Sequence, residues 1–282
     1  MKHQSIKVLT IISITILLHG CSALRIEKST NIFYSDQAIE FNLPALKLNI
    51  FAPKEAVKNN VIVFAYGGSW VSGKKEVYSF LGKRLAKKGY VAVIIDYPLA
   101  PEYKIQKMSL AVAQAIKWTA QHIDEYGGDN NNIFVAGHSA GGHLVALNTV
   151  TNRYFDSLKI KNPIKGAILI DAAGIDMFEF LKSEKLAPGT SYLRAFTNDP
   201  AVWKSHSPLY FLDNEDPKML ILLGGKTYRG ITVSTQRFIK KATNLSIKQN
   251  FHLQKNKRHI PMMTQFFWPW SKTYRWIDEF TK

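Results

Sequence analysis

The sequence contains few of the features that define several large classes of protein. Cys21 is the only cysteine among 282 residues, so no disulfide can form within the chain. No HExxH, CxxC, P-loop or GxGxxG pattern occurs, and we therefore expect neither a metal ion nor a nucleotide or other cofactor. Acidic residues are absent between Pro217 and Ile277, which restricts where a catalytic carboxylate can lie.

The composition is that of a folded protein with a large excess of positive charge. Apolar residues make up 46% of the chain and charged residues 21%, which excludes a disordered tail, a collagen-like repeat and a polytopic membrane protein. The formal net charge is +16. Because no nucleic-acid-binding module accompanies this charge, we expect no nucleic-acid partner, and an attraction to anionic surfaces or substrates is the simpler hypothesis.

The N-terminus is typical of an export signal. Lys2 and Lys7 precede the mostly apolar run Val8–Leu18, which is too short to span a bilayer. Residues 18–21 read Leu-His-Gly-Cys and resemble the lipobox of bacterial lipoproteins. That resemblance implies a signal peptide over residues 1–20, lipidation of Cys21, a tether over 21–40 and a membrane-anchored protein on the periplasmic side or in the outer membrane. The alternative is a plain secretory signal and a soluble exported protein.

From residue 41 onward, the hydrophobic pattern predicts a single α/β domain reaching residue 282. Apolar runs typical of buried strands alternate with amphipathic segments typical of helices, which indicates a mostly parallel sheet with helices on both faces. Residues 172–216 interrupt this alternation and are predicted to form a small cap-like insertion with short helices. The strands are predicted at residues 46–51, 61–65, 91–95, 133–136, 167–170, 219–223 and 247–253.

The strongest functional motif is the run Gly137–Gly141, which reads Gly-His-Ser-Ala-Gly. It follows a predicted strand and begins a predicted helix, which is the setting of a nucleophile elbow. Such a turn exposes the Ser139 hydroxyl above the sheet, and the flanking glycines permit close backbone contacts. Ser139 is therefore the candidate nucleophile.

A glycine-rich loop follows the strand predicted at residues 61–65. It reads Tyr66-Gly67-Gly68-Ser69-Trp70, and consecutive glycines leave backbone N–H groups available to a ligand. In hydrolases with an elbow, the oxyanion hole combines such amides with the amide after the nucleophile. We therefore predict an oxyanion hole built from Gly67, Gly68 and Ala140.

Together these motifs resemble the esterase/lipase group of α/β-hydrolases that includes hormone-sensitive-lipase-like and feruloyl-esterase-like carboxylesterases. Four segments carry the resemblance in the same order: the loop Tyr66–Trp70, which is similar to HGGxW, the run Asp96–Glu102, which is similar to DYRLAPE, Gly128-Asp129, and the elbow. The resemblance covers roughly residues 40–282. It implies an α/β-hydrolase fold and a structural turn at Asp96–Glu102 beside the oxyanion loop. Tyr66 replaces the usual histidine of that family.

The candidate general base is His259, because it lies in the loop after the last predicted strand. His252 falls within that strand, and His206 falls within the insertion. His138 and His143 are too close to Ser139 in the sequence to supply the imidazole.

The acid cannot be assigned to one residue from the sequence. In this fold the catalytic residues follow in the order Ser, Asp or Glu, His. Thr227 occupies the position after the strand 219–223 where the resembled family has its acid, so another carboxylate must serve or none does. Asp171 and Asp176, which follow the strand 167–170, are equal candidates, and Asp176 could instead cap a helix.

These observations predict a serine carboxylesterase that cleaves short-chain, aryl or carbohydrate esters through an acyl-enzyme on Ser139. The competing hypothesis is a surface-anchored binding protein whose catalytic power decayed with its acid. The aromatic segment Phe266–Trp270 is expected to pack in the core, with a substrate pocket or a membrane interface as alternatives.

Overall fold

The protein is described by a computed structural model that covers residues 25–35 and 41–282. The proposed signal peptide and lipobox, including Cys21, lie outside the described residues. Within those ranges, no helix combines the length and the hydropathy needed to cross a membrane.

In the part of the chain that the structure describes, eight strands form one sheet. Their order is β1-β2-β4-β3-β5-β6-β7-β8, and all strands except β2 run in the same direction, because β1 and β4 both pair antiparallel with β2. The strands are β1 (Ile26–Ser35), β2 (Leu46–Pro53), β3 (Asn59–Ala65), β4 (Val91–Ile95), β5 (Gly128–His138), β6 (Ile164–Ile170), β7 (Lys218–Gly224) and β8 (Gln249–Gln254).

Ten α-helices accompany the sheet within the described ranges. They are α1 (Ser79–Ala86), α2 (Ile105–His122), α3 (Ala140–Thr149), α4 (Arg153–Ser157), α5 (Met177–Ser183), α6 (Ser191–Phe196), α7 (Pro200–Ser205), α8 (Arg229–Asn244), α9 (His259–Thr264) and α10 (Lys272–Thr281). Short 3-10 helices cover Lys75–Tyr78, Ile123–Tyr126, Pro208–Phe211 and Gln265–Phe267.

The centre of the sheet is buried on both faces. All five residues of β4 are buried, and side chains of successive strand residues point to opposite faces, so helices must cover both sides. Helix α1 packs against β2 and β4, α3 against β5 and β6, and α8 against β8. The predicted α/β fold with a mostly parallel sheet is therefore confirmed.

The carboxyl ends of the central strands lie at one edge of the sheet. In the pairing register, Ala65 is opposite Gly137, and Ile170 is opposite both His138 and Leu222. The loops that follow these strands therefore emerge side by side, and a parallel sheet brings ligand-binding residues together at this edge.

The first strand of the sheet corrects the prediction that residues 21–40 are a tether. Ile26–Ser35 pairs with β2 along the edge of the sheet. The segment is mostly polar, and its pairing is irregular between Ser29 and Ile32, where Asn31 has a positive φ of 58°. Because a bulge and one solvent-facing edge remove the regular alternation of apolar residues, the sequence pattern did not indicate a strand.

The insertion at residues 172–216 contains short helices, as the sequence indicated. Helices α5, α6 and α7 and one 3-10 helix lie in it. Unlike the rest of the domain, this insertion contains no strand. Side chains from α5 and α6 line a cavity that also contains Ser139.

Candidate active site

Ser139 lies on a strained turn between β5 and α3. Its φ of 53° and ψ of −120° are unfavourable for a residue with a side chain, and strain of this kind is concentrated at functional sites. The turn depends on its glycines, because a Cβ on Gly137 would come within 2.4 Å of the Gly141 carbonyl oxygen. A Cβ on Gly141 would meet the Ala65 carbonyl oxygen at 2.2 Å. These close contacts explain the predicted Gly-x-Ser-x-Gly elbow.

The structure places Ser139, His259 and Asp171 in one hydrogen-bonded chain. The Ser139 Oγ lies 2.8 Å from the His259 Nε2. The His259 Nδ1 lies 2.6 Å from the Asp171 Oδ2. Since an ionised carboxylate only accepts hydrogen bonds, Nδ1–H donates to Asp171, which leaves Nε2 to accept the Ser139 proton. His259 follows the predicted loop, but it begins helix α9 rather than lying within the loop.

The Asp171 carboxylate is buried and receives three hydrogen bonds. The Gly224 amide donates to Oδ1 at 2.8 Å, and the Thr227 hydroxyl donates to Oδ2, which also accepts from His259. Thr227 Oγ1 is 3.5 Å from the His259 Nδ1. Thr227 carries no charge, but it binds the carboxylate that pairs with the His259 imidazole. A carboxylate satisfied in this way is held in one orientation.

Asp176, the second candidate acid, does not contact His259. Its Oδ2 lies 2.7 Å from the Arg237 NH1, and its Oδ1 accepts from the Tyr210 hydroxyl at 3.2 Å and from the Glu179 amide at 3.3 Å. Asp176 is the N-cap of α5, which is the helix-capping role that the sequence analysis left open. Its hydrogen bond with Arg237, followed by its charge, raises the pKa of that guanidinium. Burial, followed by the charge of Asp176, raises the pKa of Tyr210 to about 12.

The residues predicted to form the oxyanion hole lie around the nucleophile. A Cβ on Gly67 would be 3.1 Å from the Ser139 Cβ, so this loop packs directly against the elbow. Neither the Gly68 amide nor the Ala140 amide has a backbone acceptor among the described residues. The Gly67 amide faces the Tyr78 phenol and lowers its pKa, which burial otherwise raises. Gly67 and Gly68 line the same cavity as Ser139, and Ala140 directly follows Ser139 in the chain.

Position 66 of the glycine-rich loop is a tyrosine here and a histidine in the resembled family. Aromatic stacking holds this tyrosine, and with it the loop. The Tyr66 ring is buried and stacks on Tyr97 at 4.5 Å and on Tyr78 at 5.9 Å between ring centroids. The Tyr97 hydroxyl donates to the Tyr66 carbonyl at 2.8 Å, and the Ala100 amide donates to the Trp70 carbonyl at 2.9 Å. The expectation that Asp96–Glu102 packs beside this loop is confirmed.

Two aromatic rings contact the His259 imidazole, and neither contact could be predicted from the sequence. The His138 ring stacks on His259 with centroids 4.7 Å apart, and Tyr228 packs on the same imidazole at 5.1 Å. Burial, followed by the charge of a protonated His259, lowers the pKa of His138 to about 4. His138 is therefore neutral near pH 7, and its Nε2–H donates to the His259 carbonyl at 3.2 Å.

Among the described residues, His143, His206 and His252 form no hydrogen bond with the nucleophile. The His143 Nε2–H donates to the His206 carbonyl at 2.6 Å inside the core. Burial lowers the pKa of His143 to about 3 and that of His206 to about 4. His252 stacks on Trp276 at 4.1 Å between centroids, away from Ser139. Among the described residues, no group of three or more His, Cys, Asp or Glu side chains is arranged to hold a metal ion.

A cavity of about 480 Å³ opens at Ser139 and His259. Most of its larger lining side chains are aromatic, which suits an apolar or aromatic group, and a carboxylate from the insertion, Glu184, lies at its wall. The aromatic lining residues are Trp70, Tyr78, Phe180, Tyr192 and Tyr228.

The sheet order, the strained elbow serine and the facing imidazole define an α/β-hydrolase fold. A match to the BD-FAE family model covers residues 48–234, and the chain belongs to this family.

Two relatives of this chain carry the name of esterases. Esterase LipC from Mycobacterium tuberculosis is 27% identical over 249 residues, which are 83% of this chain and 60% of that protein. An arylesterase from Saccharolobus solfataricus is 30% identical over 150 residues, which are 52% of this chain and 49% of that protein. The chain thus aligns with about half of the length of these relatives, or slightly more.

Solved structures share the fold. A truncated carbohydrate esterase from gut microbiota superposes with a TM-score of 0.75 at 22% identity, covering 92% of this chain and 98% of that one. Esterase Est2 from Thermogutta terrifontis superposes with a TM-score of 0.73 at 24% identity, covering 92% and 91%. At these identities the similarity establishes the architecture alone.

Proposed function

We propose that this protein is a serine carboxylesterase whose catalytic residues are Ser139, His259 and Asp171. The observation that carries the proposal is the continuous hydrogen-bonded chain from the Ser139 hydroxyl through the imidazole to a buried carboxylate. Its support is geometric, since nucleophile, base and orienting acid are each within hydrogen-bond distance of the next. The named relatives, which are esterases, support the same reaction class.

In this mechanism, His259 accepts the hydroxyl proton at Nε2 while the Ser139 Oγ attacks the ester carbonyl carbon. The carbonyl oxygen becomes an oxyanion, which the amides of Gly67, Gly68 and Ala140 stabilise. Removing one such donor costs about 3–4 kcal/mol of transition-state stabilisation in other serine hydrolases. His259 then returns its proton to the leaving alkoxide, so the alcohol departs and an acyl-serine remains.

Deacylation repeats these steps with water as the nucleophile. His259 removes a proton from water, the hydroxide attacks the acyl carbon, and the proton returns to the Ser139 oxygen as the carboxylic acid leaves. Asp171 keeps the imidazole in the required tautomer and stabilises the imidazolium formed in each half-reaction. Thr227 and the Gly224 amide keep that carboxylate in place.

The proposed substrates are short-chain or aryl carboxylic esters, including an acyl group on a carbohydrate. The size of the cavity, about 480 Å³, and its aromatic walls support a small acyl or aryl group beside Ser139. Relatives named arylesterase and carbohydrate esterase support the same range of esters.

Hydrolysis of a series of 4-nitrophenyl esters tests this proposal. We expect turnover of the acetate and butyrate esters, a decline with longer acyl chains, and loss of turnover in Ser139→Ala. Intact-mass spectrometry of quenched reactions should show the acyl adduct on Ser139. Ser157→Ala, which changes an exposed serine of α4, is the matched control. Equal turnover by Ser139→Ala would overturn the assignment.

The competing hypothesis is a binding protein without a catalytic acid, and its main argument was the missing carboxylate. It arose because no carboxylate follows β7. The support against it is that the Asp171 Oδ2, just after β6, lies 2.6 Å from the His259 Nδ1. A folded protein that neither hydrolyses esters nor reacts with a fluorophosphonate would restore this hypothesis.

For its location, we infer an exported lipoprotein acylated at Cys21 and anchored in a membrane on the periplasmic side or in the outer membrane. The basic start, the short apolar run and the Leu-His-Gly-Cys sequence support this inference. Cys21→Ser should move the protein from the membrane fraction to the soluble exported fraction. Release of the native chain without detergent would favour the soluble exported form instead.

A further inference from the structure

An exposed apolar surface lies next to the mouth of the active-site cavity. We call it the apolar rim and define it by Val77, Ile260, Phe267, Trp268 and Trp270, which are all exposed. Trp268 is 57% exposed and Trp270 is 76% exposed, and the two rings stack with centroids 5.5 Å apart. Two stacked and solvent-exposed tryptophans correct the expectation that the segment Phe266–Trp270 packs in the core, which holds for Phe266 alone among its aromatic residues.

A row of aromatic rings connects the apolar rim to the cavity. The cavity-lining Tyr78 stacks on Phe80 at 6.4 Å between centroids, and Phe80 stacks on Phe267 at 3.9 Å. Ile260 belongs both to the rim and to the lining of the cavity. The rim is therefore continuous with the opening through which a substrate would reach Ser139.

The two chain segments that meet in the rim are strongly basic. Residues 74–88 contain six Lys or Arg and one acid, and residues 255–275 contain five Lys or Arg and no acid. Lys75 is buried and pairs with both Glu76 and Asp96, so the exposed positive charge of the first segment comes from its other Lys and Arg residues. Lys74 precedes Val77 by three residues and Lys272 follows Trp270 by two, and both lysines are exposed.

We propose that the apolar rim docks on an anionic lipid surface and turns the cavity mouth toward the headgroups. Contiguous apolar patches at a protein surface mark interaction sites, and tryptophan is favoured at the boundary between headgroups and hydrocarbon. The surrounding cations are complementary to anionic headgroups. This contact is separate from lipidation at Cys21, and it does not depend on ester hydrolysis.

A label at the rim tests the docking in the full chain. Because Cys21 is the only cysteine, Cys21→Ser removes both the lipidation site and the background thiol. An environment-sensitive fluorophore is attached in this background at Trp268→Cys and, as a matched control, at Val57→Cys. Val57 is 80% exposed and precedes β3, at the opposite edge of the sheet from Ser139.

We expect the label at position 268 to shift to the blue with vesicles of phosphatidylglycerol and phosphatidylcholine, and the label at 57 to stay unchanged. High salt should reverse the shift. Equal shifts at both positions, no shift at 268, or an undiminished shift with pure phosphatidylcholine would overturn the proposal. So would a shift at 268 with an anionic polysaccharide but none with vesicles.

A second variant excludes a defect in folding. In the Cys21→Ser background, Trp268→Ser with Trp270→Ser should weaken partitioning onto the anionic vesicles at least tenfold. The same variant should hydrolyse a soluble 4-nitrophenyl ester at an unchanged rate without vesicles, because neither tryptophan lines the cavity. Unchanged partitioning contradicts the docking proposal alone, whereas lack of hydrolysis in the parent protein contradicts the proposed function alone.

Discussion

Asp171 and Asp176 lie five residues apart, are both buried, and each pairs with a basic side chain, yet their surroundings differ. Asp171 follows β6 directly, has a positive φ of 48°, and its amide donates to the Leu222 carbonyl at 2.8 Å. Asp176 lies beyond the sheet and caps α5. Asp171 pairs with a mostly buried imidazole, whereas Asp176 pairs with the Arg237 guanidinium, which is about half exposed.

The comparison shows that burial and an ion pair do not by themselves identify a catalytic acid. A guanidinium keeps its proton throughout the accessible pH range, so the Asp176 pair has no proton to exchange. The imidazole beside Asp171 can instead accept a proton, because its other nitrogen, Nε2, lies 2.8 Å from the Ser139 hydroxyl. We therefore propose a catalytic role for Asp171 and a structural role for Asp176.

The largest difference between the two aspartates is expected in turnover. Asp171→Asn should lower kcat about ten-thousandfold, because the amide favours the wrong imidazole tautomer and cannot stabilise the imidazolium. Asp176→Asn should change kcat less than about threefold. Steady-state kinetics with 4-nitrophenyl acetate above pH 7, together with circular dichroism to verify folding, measures both. Comparable losses in the two folded variants would contradict the assignment.

Thr227 sharpens the comparison because its hydroxyl donates to Asp171 and lies 3.5 Å from the imidazole nitrogen that pairs with this carboxylate. Thr227→Val should lower kcat about tenfold with little change in KM, since one charge-assisted hydrogen bond to the carboxylate is lost. Thr227→Ser keeps the hydroxyl and should retain most of the activity.

A double-mutant cycle separates a positioning role for Thr227 from a structural one. In the Asp171→Asn background, Thr227→Val should have almost no further effect on kcat, because the hydroxyl acts through the carboxylate. Independent, additive losses would mean that Thr227 acts on some other group.

The structural role of Asp176 should appear in stability rather than in turnover. Arg237→Gln leaves the buried carboxylate with the Tyr210 hydroxyl and the Glu179 amide, and should lower the free energy of unfolding by about 1–2 kcal/mol. Urea unfolding at pH 7.5 measures the change, and Arg229→Gln, another arginine of α8, is the control. A large loss of kcat in Arg237→Gln would connect Asp176 to catalysis after all.

A last effect, which both aspartates share, concerns the pH at which the comparison holds. Burial lowers the pKa values of His138, His143 and His206 to about 4, 3 and 4, whereas the unfolded chain binds these protons near pH 6.5. The unfolded state therefore holds more protons between about pH 6.5 and 4, and the free energy of unfolding falls as the pH is lowered through this range.

Urea unfolding at pH 7.5, 6 and 5 measures this dependence. His206→Gln should reduce the slope by about one proton, or about 1.4 kcal/mol per pH unit. An unfolding free energy that stays constant between pH 6.5 and 5 would contradict the neutral state of these histidines. The two aspartates should accordingly be compared above pH 7.

Much of the fold and part of the site could be predicted from the sequence because the signals are local. The elbow is recognisable since strand, sharp turn and helix are consecutive, and the glycine-rich loop is recognisable because it directly follows an apolar run. That the strands before them, β3 and β5, are neighbours is known only from the structure. His259 could be selected because it follows the last strand.

The identity of the acid could not be predicted because it depends on contacts between distant parts of the chain. Asp171 and His259 are 88 residues apart, and their pairing requires the register of β6 and β7 and the start of α9. The residues around Asp171 and Asp176 in the sequence do not show which of the two carboxylates contacts the imidazole. The hydrogen bond from Thr227 to Asp171 could not be predicted either. The uncharged threonine after β7 did indicate that another residue had to supply the negative charge.

The most direct test of the central claim is the rate at which a fluorophosphonate labels Ser139, followed by peptide mapping. Stoichiometric labelling of Ser139 at matching rates in the native chain and in Asp176→Asn, with labelling slowed by orders of magnitude in Asp171→Asn, is the result that the proposed triad predicts. Labelling of a different residue, or of Ser139 at the same rate in Asp171→Asn, would contradict it.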